Sequence, residues 1–468
     1  MKSVVSSVSL LVAVLHLVGI INPNSVEAKA IIPTPEIAGL NSSDRDDALQ
    51  AQAVTIPHLN ALDQGKVDEA VPFIEQTWEK QYEDYFQVNF SDRSMTVKNI
   101  ADTLNRVAIQ TGKKPALLYI VPRTEQLELV LITPDGQSIH RRVVEANQTA
   151  LLEQTKELVS SLVHPIYRNT SRYLPAAQQL YQWMLAPLEA ELEAQGIDTL
   201  LFCVGGGLRT LPFAALHDGE QFLVEKYSFS RIPAFKLTST IYADLRKAEV
   251  LAMGASEFRN LEPLPAVPAE LSTITKYLWQ GKSFLNQAFT VPNLQAQRRQ
   301  QSYKIIHLAT HASFQSGSPS NSYVQFWDRK LTLDQMSQLS WSYPPIELLV
   351  LSACKTAIGD EDAELGFAGL AVQANVKSAI ASLWNVSDEG TLGLMTQFYR
   401  DLKTAPTKGE ALRQAQVAMI KGQVRLEGGQ LHTSRGPIAL PPAMANVSNE
   451  NLSHPYYWAA FTLVGSPW

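Results

Sequence analysis

Hydrophobic positions change their spacing several times along the chain, and each change predicts an element. Val67, Ala70, Val71, Ile74, Trp78, Tyr82 and Tyr85 recur at three- and four-residue steps, which predicts an amphipathic helix over Val67–Phe86. A second helix is expected at about Val97–Gln110. From Lys114 the runs shorten to Ala116–Val121, Leu127–Ile132 and Ser138–Val144, the last two separated by Pro134-Asp-Gly136. Alternating apolar stretches around Pro-Asp-Gly predict a β-hairpin, because Gly tolerates the positive φ that the turn needs. Helical spacing returns over Ala150–Val163 and about Ser171–Gln195, and Thr199–Val204 then reads as a buried strand running into the tight turn Gly205-Gly-Gly207.

The C-terminal half alternates strand and helix patterns. Strands are predicted at Glu249–Gly254, Lys304–Thr310, Glu347–Ala353, Ser378–Trp384 and Trp458–Val464. Helices fit Pro268–Trp279, Leu331–Leu339, Glu364–Asn375, Ser387–Leu402 and Lys408–Gly422. This alternation predicts an α/β fold with a parallel sheet covered on both faces. The stretch Glu427–Ser453 is rich in Gly, Pro and Asn and is expected to be irregular, either mobile or shaping one rim of a site.

Composition narrows the function. A chain of 468 residues with 45% hydrophobic and 18% charged positions can bury a large core. Its formal net charge is −6 with no basic block, so nucleic acid is not an expected partner. Two cysteines cannot build a disulfide framework or a four-thiolate zinc site. At the N-terminus, Met1-Lys2 precedes an apolar run from Val4 to Ile21 and then Ala28-Lys-Ala30, the pattern of a secretory leader with a small-residue cleavage site. The expected organisation is a leader over 1–30, a linker and helical segment over 31–98, and two α/β halves over 99–248 and 249–468. The protein is then exported, to a periplasmic or extracellular space. The rival reading keeps the apolar run as an uncleaved anchor, and only in that case does the chain contact a membrane.

Candidate chemistry lies at two strand ends, Ile305-Ile-His-Leu-Ala-Thr-His311 and Leu348-Leu-Val-Leu-Ser-Ala-Cys354. In an open parallel sheet, ligands sit at the carboxyl ends of strands, so His311 and Cys354 are expected to converge on one crevice. A Cys beside a His forms a nucleophile and its base. The amides of Ala312 and Cys354 are the expected oxyanion donors. Taken one at a time, a Cys ending an apolar strand is an ordinary core residue and a lone His an ordinary structural one. His307 and His311 would stand ~13 Å apart on a strand, too far to share a metal ion, so His307 reads as internal packing. Cys203, inside Leu200-Leu-Phe-Cys-Val204, reads as core, and a Cys203–Cys354 disulfide is not expected between different halves.

His307-Leu-Ala-Thr-His-Ala312 and Leu351-Ser-Ala-Cys-Lys-Thr356 resemble the two signature segments of the CHAT domain, a caspase- and separase-like cysteine peptidase family. Leu208-Arg-Thr-Leu-Pro-Phe-Ala-Ala-Leu-His217, Gly366-Phe-Ala-Gly-Leu370, Ala381-Ser-Leu-Trp-Asn-Val386 followed by Asp388, and Tyr457-Trp-Ala-Ala-Phe-Thr-Leu-Val-Gly465 add to the resemblance, which covers roughly residues 100 to 468. It implies a caspase-like three-layer αβα sandwich with a related, non-catalytic N-terminal half, and it places the His–Cys dyad on His311 and Cys354. Family members often have Gly after the His, where this chain has Ala312. The long helical repeats that precede many CHAT domains are not found in this sequence. The implied activity is cysteine endopeptidase hydrolysis of a protein or peptide, with no cofactor and no metal. The alternative is a cell-envelope interaction module that uses a peptidase fold for binding alone. Asp360, Glu361, Asp362 and Glu364 follow the nucleophile on an expected loop. Asp360 or Asp362 could line a pocket favouring Arg or Lys before the scissile bond. Alternatively, the acidic run is a solvated loop that opens the next helix, where negative charge is favourable.

Overall fold

The alternation along Pro115–Pro122 (β1) shows how the layers arise. Leu117, Tyr119 and Val121 point to one face of the sheet, where they meet Val71, Ile74 and Trp78 of the helix Val67–Phe86 and Ile100 and Leu104 of the helix Val97–Thr111. Ala116, Leu118 and Ile120 point to the other face, with Leu151, Leu158 and Leu162 of the helix Gln148–Val163. A strand sandwiched in this way must be apolar at every position, which is why β1 reads as a continuous run. The chain divides after Thr55 and only the unit that follows is described. The computed structural model describes residues 57–90, 94–339, 341, 343–357, 359–440 and 449–468, with the backbone alone at 353 and 354. The expected leader and the linker up to residue 56 lie outside these residues.

The remaining strands are Leu127–Ile132 (β2), Ser138–Val143 (β3), Thr199–Val204 (β4), Ser228–Ile232 (β5), Val250–Gly254 (β6), Gly281–Leu285 (β7), Ile305–Phe314 (β8), Tyr323–Gln325 (β9), Lys330–Thr332 (β10), Leu348–Thr356 (β11), Ser378–Ser382 (β12), Arg425–Glu427 (β13), Gln430–His432 (β14), Ile438–Ala439 (β15), Glu450–Asn451 (β16) and Phe461–Gly465 (β17). Among the described residues, 13 strands form one sheet in the order β10-β9-β8-β11-β12-β17-β5-β4-β1-β2-β3, with β6 and β7 added beside β8. β6, β8, β11 and β12 are parallel to one another, as are β1, β4 and β5. The last strand, β17, joins the two sets, running antiparallel to β12 and meeting β5 through Val464 and Arg231. The edges are polar: β3 carries His140, Arg141 and Arg142, and β7 is largely exposed, so neither edge invites another strand.

Most predicted elements are present, with instructive departures. The hairpin forms as expected, with Gly136 at φ 91° and Ile132 opposite Ser138. The long helix expected to Gln195 breaks at Pro187 into Leu174–Met184, a 3₁₀ turn and Glu189–Ala194, because proline cannot donate to the preceding turn. The helix expected from Leu331 starts instead as β10, followed by one turn, Leu333–Met336. Within the described part of the Gly-rich stretch after Arg425, β13–β16 form a small antiparallel sheet that buries Leu426 and Leu431; residues 441–448 lie outside the described residues. β8 and β11 also run past their predicted ends, to Phe314 and Thr356, so His311 and Cys354 lie within the last part of their strands rather than just beyond them.

Candidate active site

β8 and β11 are adjacent and parallel, and their register sets the geometry of the site. Leu348–Leu351 face Ile305–Leu308 one to one; the ladder then shifts by one residue, so that Ala353 is opposite His311 and Cys354 opposite Ala312. Such an irregularity re-aims the residues that follow it, and it lies directly before both candidate catalytic positions. His311 and Cys354 are thus diagonal neighbours on adjacent strands. Ala312 also pairs with Val324 of β9, so both residues expected to supply oxyanion amides belong to the ladder at the strand ends.

The half-buried His311 ring is held from the side opposite the ladder by the loop that follows β6. Its Nε2 lies 2.8 Å from the Glu262 carbonyl oxygen. A carbonyl can only accept, so Nε2 carries the proton and, in the neutral ring, Nδ1 is left as the base. The Phe258 ring meets the imidazole edge-on at 4.7 Å. The loop itself is pinned at four places. Ala255 N–H donates to the Ala309 carbonyl at 3.1 Å and Leu264 N–H to that of Ser256 at 3.0 Å. Ser256 N–H donates to Asn286 Oδ1 at 2.8 Å, and Ala266 N–H to Asp388 Oδ2 at 3.2 Å. Burial pushes the Asp388 carboxyl up to about 6. Glu262, Phe258 and Asp388 were not singled out for this role in the sequence, since a backbone carbonyl leaves no trace in residue type.

The CHAT domain family profile matches residues 174–466. This chain belongs to the CHAT domain family. Among solved structures, the separase–securin complex of Saccharomyces cerevisiae is similar in two crystal structures. Each is 10% identical and covers 86% of this chain, with TM-scores of 0.49 and 0.45. The complex of pro- and mature domains of RgpB from Porphyromonas gingivalis is 10% identical, covers 75% of this chain and 78% of that one, and has a TM-score of 0.37. This CHAT protein spans only 34% of the length of the separase chain. No curated protein matches the sequence.

The structure also places the other residues singled out in the sequence. His307 is fully buried, with Nδ1 3.2 Å from the Tyr399 hydroxyl and Nε2 3.1 Å from Glu270 Oε1, a packing role. Cys203 is a free, buried thiol 3.5 Å from the Pro233 carbonyl, and burial pushes its pKa well above that of an ordinary thiol. The acidic run after Cys354 is not a loop, because Glu361, Asp362 and Glu364 already belong to the helix Glu361–Ala368. Asp360 is its N-cap, accepting Ala363 N–H at 2.9 Å, and an N-cap aspartate with acids in the first turn is favourable against the helix dipole. Asp362 accepts Gly317 N–H at 2.9 Å. Beside the carboxyl ends of β11 and β12 lies a cleft of about 570 Å³, walled by Val159, Val163 and Pro165 on one side and by Thr356, Trp384 and Asn385 on the other.

Proposed function

We propose that this CHAT protein is a cysteine endopeptidase that uses Cys354 as nucleophile and His311 as base. The observation that carries the reading is the fixed tautomer of His311, whose Nε2–H is tied to the Glu262 carbonyl while the ring stands on the strand next to Cys354. In this mechanism Nδ1 takes the thiol proton, and the thiolate attacks the scissile carbonyl. The Cys354 and Ala312 amides, released from the end of the ladder, receive the oxyanion. The imidazolium, steadied by the Glu262 carbonyl, then protonates the leaving amine. Water activated by the same Nδ1 hydrolyses the acyl-enzyme. Incubation with a diverse peptide library, read by mass spectrometry, tests this: wild type should cleave and Cys354→Ala should not. Binding without cleavage by wild type would leave the fold as an interaction module.

A preference for Arg or Lys before the scissile bond belongs to the same proposal and rests on the charge of Asp360 and Asp362. A charge-assisted hydrogen bond from one of them is worth ~1.5 to 3 kcal/mol, or about 10- to 150-fold in preference. Matched fluorogenic substrates differing at that position, assayed on wild type, Asp360→Ala and Asp362→Ala, decide it; equal rates for Leu and Arg substrates would reject it. Export rests on the leader pattern of residues 1–30, and mass analysis should find the mature N-terminus at Lys29 or Ile31.

A further inference from the structure

Glu364 is fully buried in the helix that leads away from the nucleophile, yet its carboxylate serves another part of the chain. Oε2 accepts the Gly207 N–H at 2.9 Å and Oε1 accepts the Thr210 hydroxyl at 3.0 Å, both on the loop that ends β4 in the N-terminal half. Arg209, between them, is 1% exposed; burial pushes the Glu364 carboxyl's pKa up, and the Arg209 charge works against that rise. Its guanidinium stands 5.8 Å from the Tyr82 ring and donates to Gln81, both on the helix Val67–Phe86. The buried Arg231 holds the same loop from beneath through the carbonyls of Arg209 and Leu211. The helix that carries Glu364 touches Val67–Phe86 directly as well: a Cβ on Gly366 would come within 2.9 Å of the Tyr85 hydroxyl, and one on Gly369 within 2.6 Å of the Phe86 ring. These glycines allow the two helices to approach closely.

We propose that Glu364 is a positioning residue for Cys354. It fixes the helix Glu361–Ala368 that follows the nucleophile against the loop 205–211, and so makes the geometry of the nucleophile depend on the N-terminal half and the helix Val67–Phe86. A buried carboxylate is costly unless its acceptors are used, and here both oxygens are used across the two halves. The kinetic part of this inference rests on the peptidase reading; the mechanical coupling does not.

The test compares Glu364→Met, which fills the space without accepting, with Glu364→Gln. Glutamine can accept the Gly207 N–H and donate to Thr210, so it retains both contacts without the charge. Hydrogen exchange on the full chain should show lost protection in both 205–211 and 355–368 for Glu364→Met, and protection near that of wild type for Glu364→Gln. The midpoint of Cys354 alkylation by iodoacetamide against pH should rise toward that of a free thiol, ~8.5, in the Met variant only. On a cleaved peptide, kcat should fall about 10-fold or more in the Met variant with KM little changed, and recover in the Gln variant. If Glu364→Met does not fold, Thr210→Val removes one of the two contacts and should give a smaller change in the same direction. Unchanged exchange in 205–211 and an unchanged midpoint in Glu364→Met, or in Thr210→Val where the Met variant does not fold, would overturn the proposal. A wild-type midpoint already at the free-thiol value would instead count against the dyad and leave the exchange result to decide the coupling.

Discussion

The two sets of parallel strands in this sheet make a controlled comparison, because each carries one cysteine near a strand end. In β4, Cys203 points into the layer formed by Trp78, Ile100 and Tyr119, is fully buried, and lies against the Pro233 carbonyl. In β11, Cys354 is next to β8, where His311 is held by a loop arriving from β6. The strand after Cys203 opens into Gly205-Gly-Gly207 and a loop bound by Glu364; its neighbours β1 and β5 bring Tyr119 and Ile232 opposite. The same α/β architecture therefore yields an inert thiol in one half and a candidate nucleophile in the other. The surroundings distinguish them: burial in an apolar layer pushes the Cys203 thiol well above an ordinary thiol pKa, whereas Cys354 lies beside the strand that carries His311.

The largest expected effect separates the two cysteines. Cys354→Ser or His311→Ala should abolish peptide cleavage while leaving the circular dichroism spectrum unchanged, and the double variant should be no slower than either single one, because the pair acts as a unit. Cys203→Ala should retain nearly full turnover and lose about 1 kcal/mol of stability in a denaturant titration, from the small cavity it leaves. Cleavage that survives Cys354→Ser but not Cys203→Ala would invert the comparison.

A second effect tests what the N-terminal half contributes. Glu128 of β2 is buried, and burial works to raise its pKa, but hydrogen bonds from His140, Arg142, Gln126 and Arg123 outweigh this and hold it at about 2. A carboxyl lower in the folded state than its usual 4.5 stabilises the fold above pH 4.5, and that contribution is lost as pH falls toward 2. Glu128→Gln should therefore cost roughly 2 kcal/mol or more at pH 7, and the gap from wild type should narrow between pH 4.5 and 2 in thermal melts. A constant gap across that range would mean that the cluster's charge contributes nothing.

The smallest expected effect sharpens the picture around His311. Phe258 packs on the imidazole edge. Phe258→Ala should lower kcat by about 10-fold with stability nearly unchanged, since it frees the ring to turn without removing the Glu262 hydrogen bond. Loss of stability without loss of turnover would make Phe258 a packing residue only.

How much of this was legible along the chain follows from the range of the interactions. The helix Val67–Phe86, the hairpin at Gly136 and the buried strands are set by neighbours a few positions away, through the spacing of apolar residues and the φ that a turn demands, and the sequence by itself determines them. The adjacency of the two strands that carry His311 and Cys354 was legible as well, because two apolar runs in a strand–helix alternation are brought side by side. Short polar strands such as β7 and β13–β16 were not, because their partners rather than their composition make them strands. Nor could the sequence say that Asp360 would cap a helix while Glu364, four residues on, would be buried with its carboxylate on the loop after β4. Only the tertiary structure decides the shift in register before Cys354, the hold of the Glu262 carbonyl on His311 and the reach of Glu364 to Gly207. Each depends on backbone groups that every residue possesses, brought together from distant parts of the chain by packing.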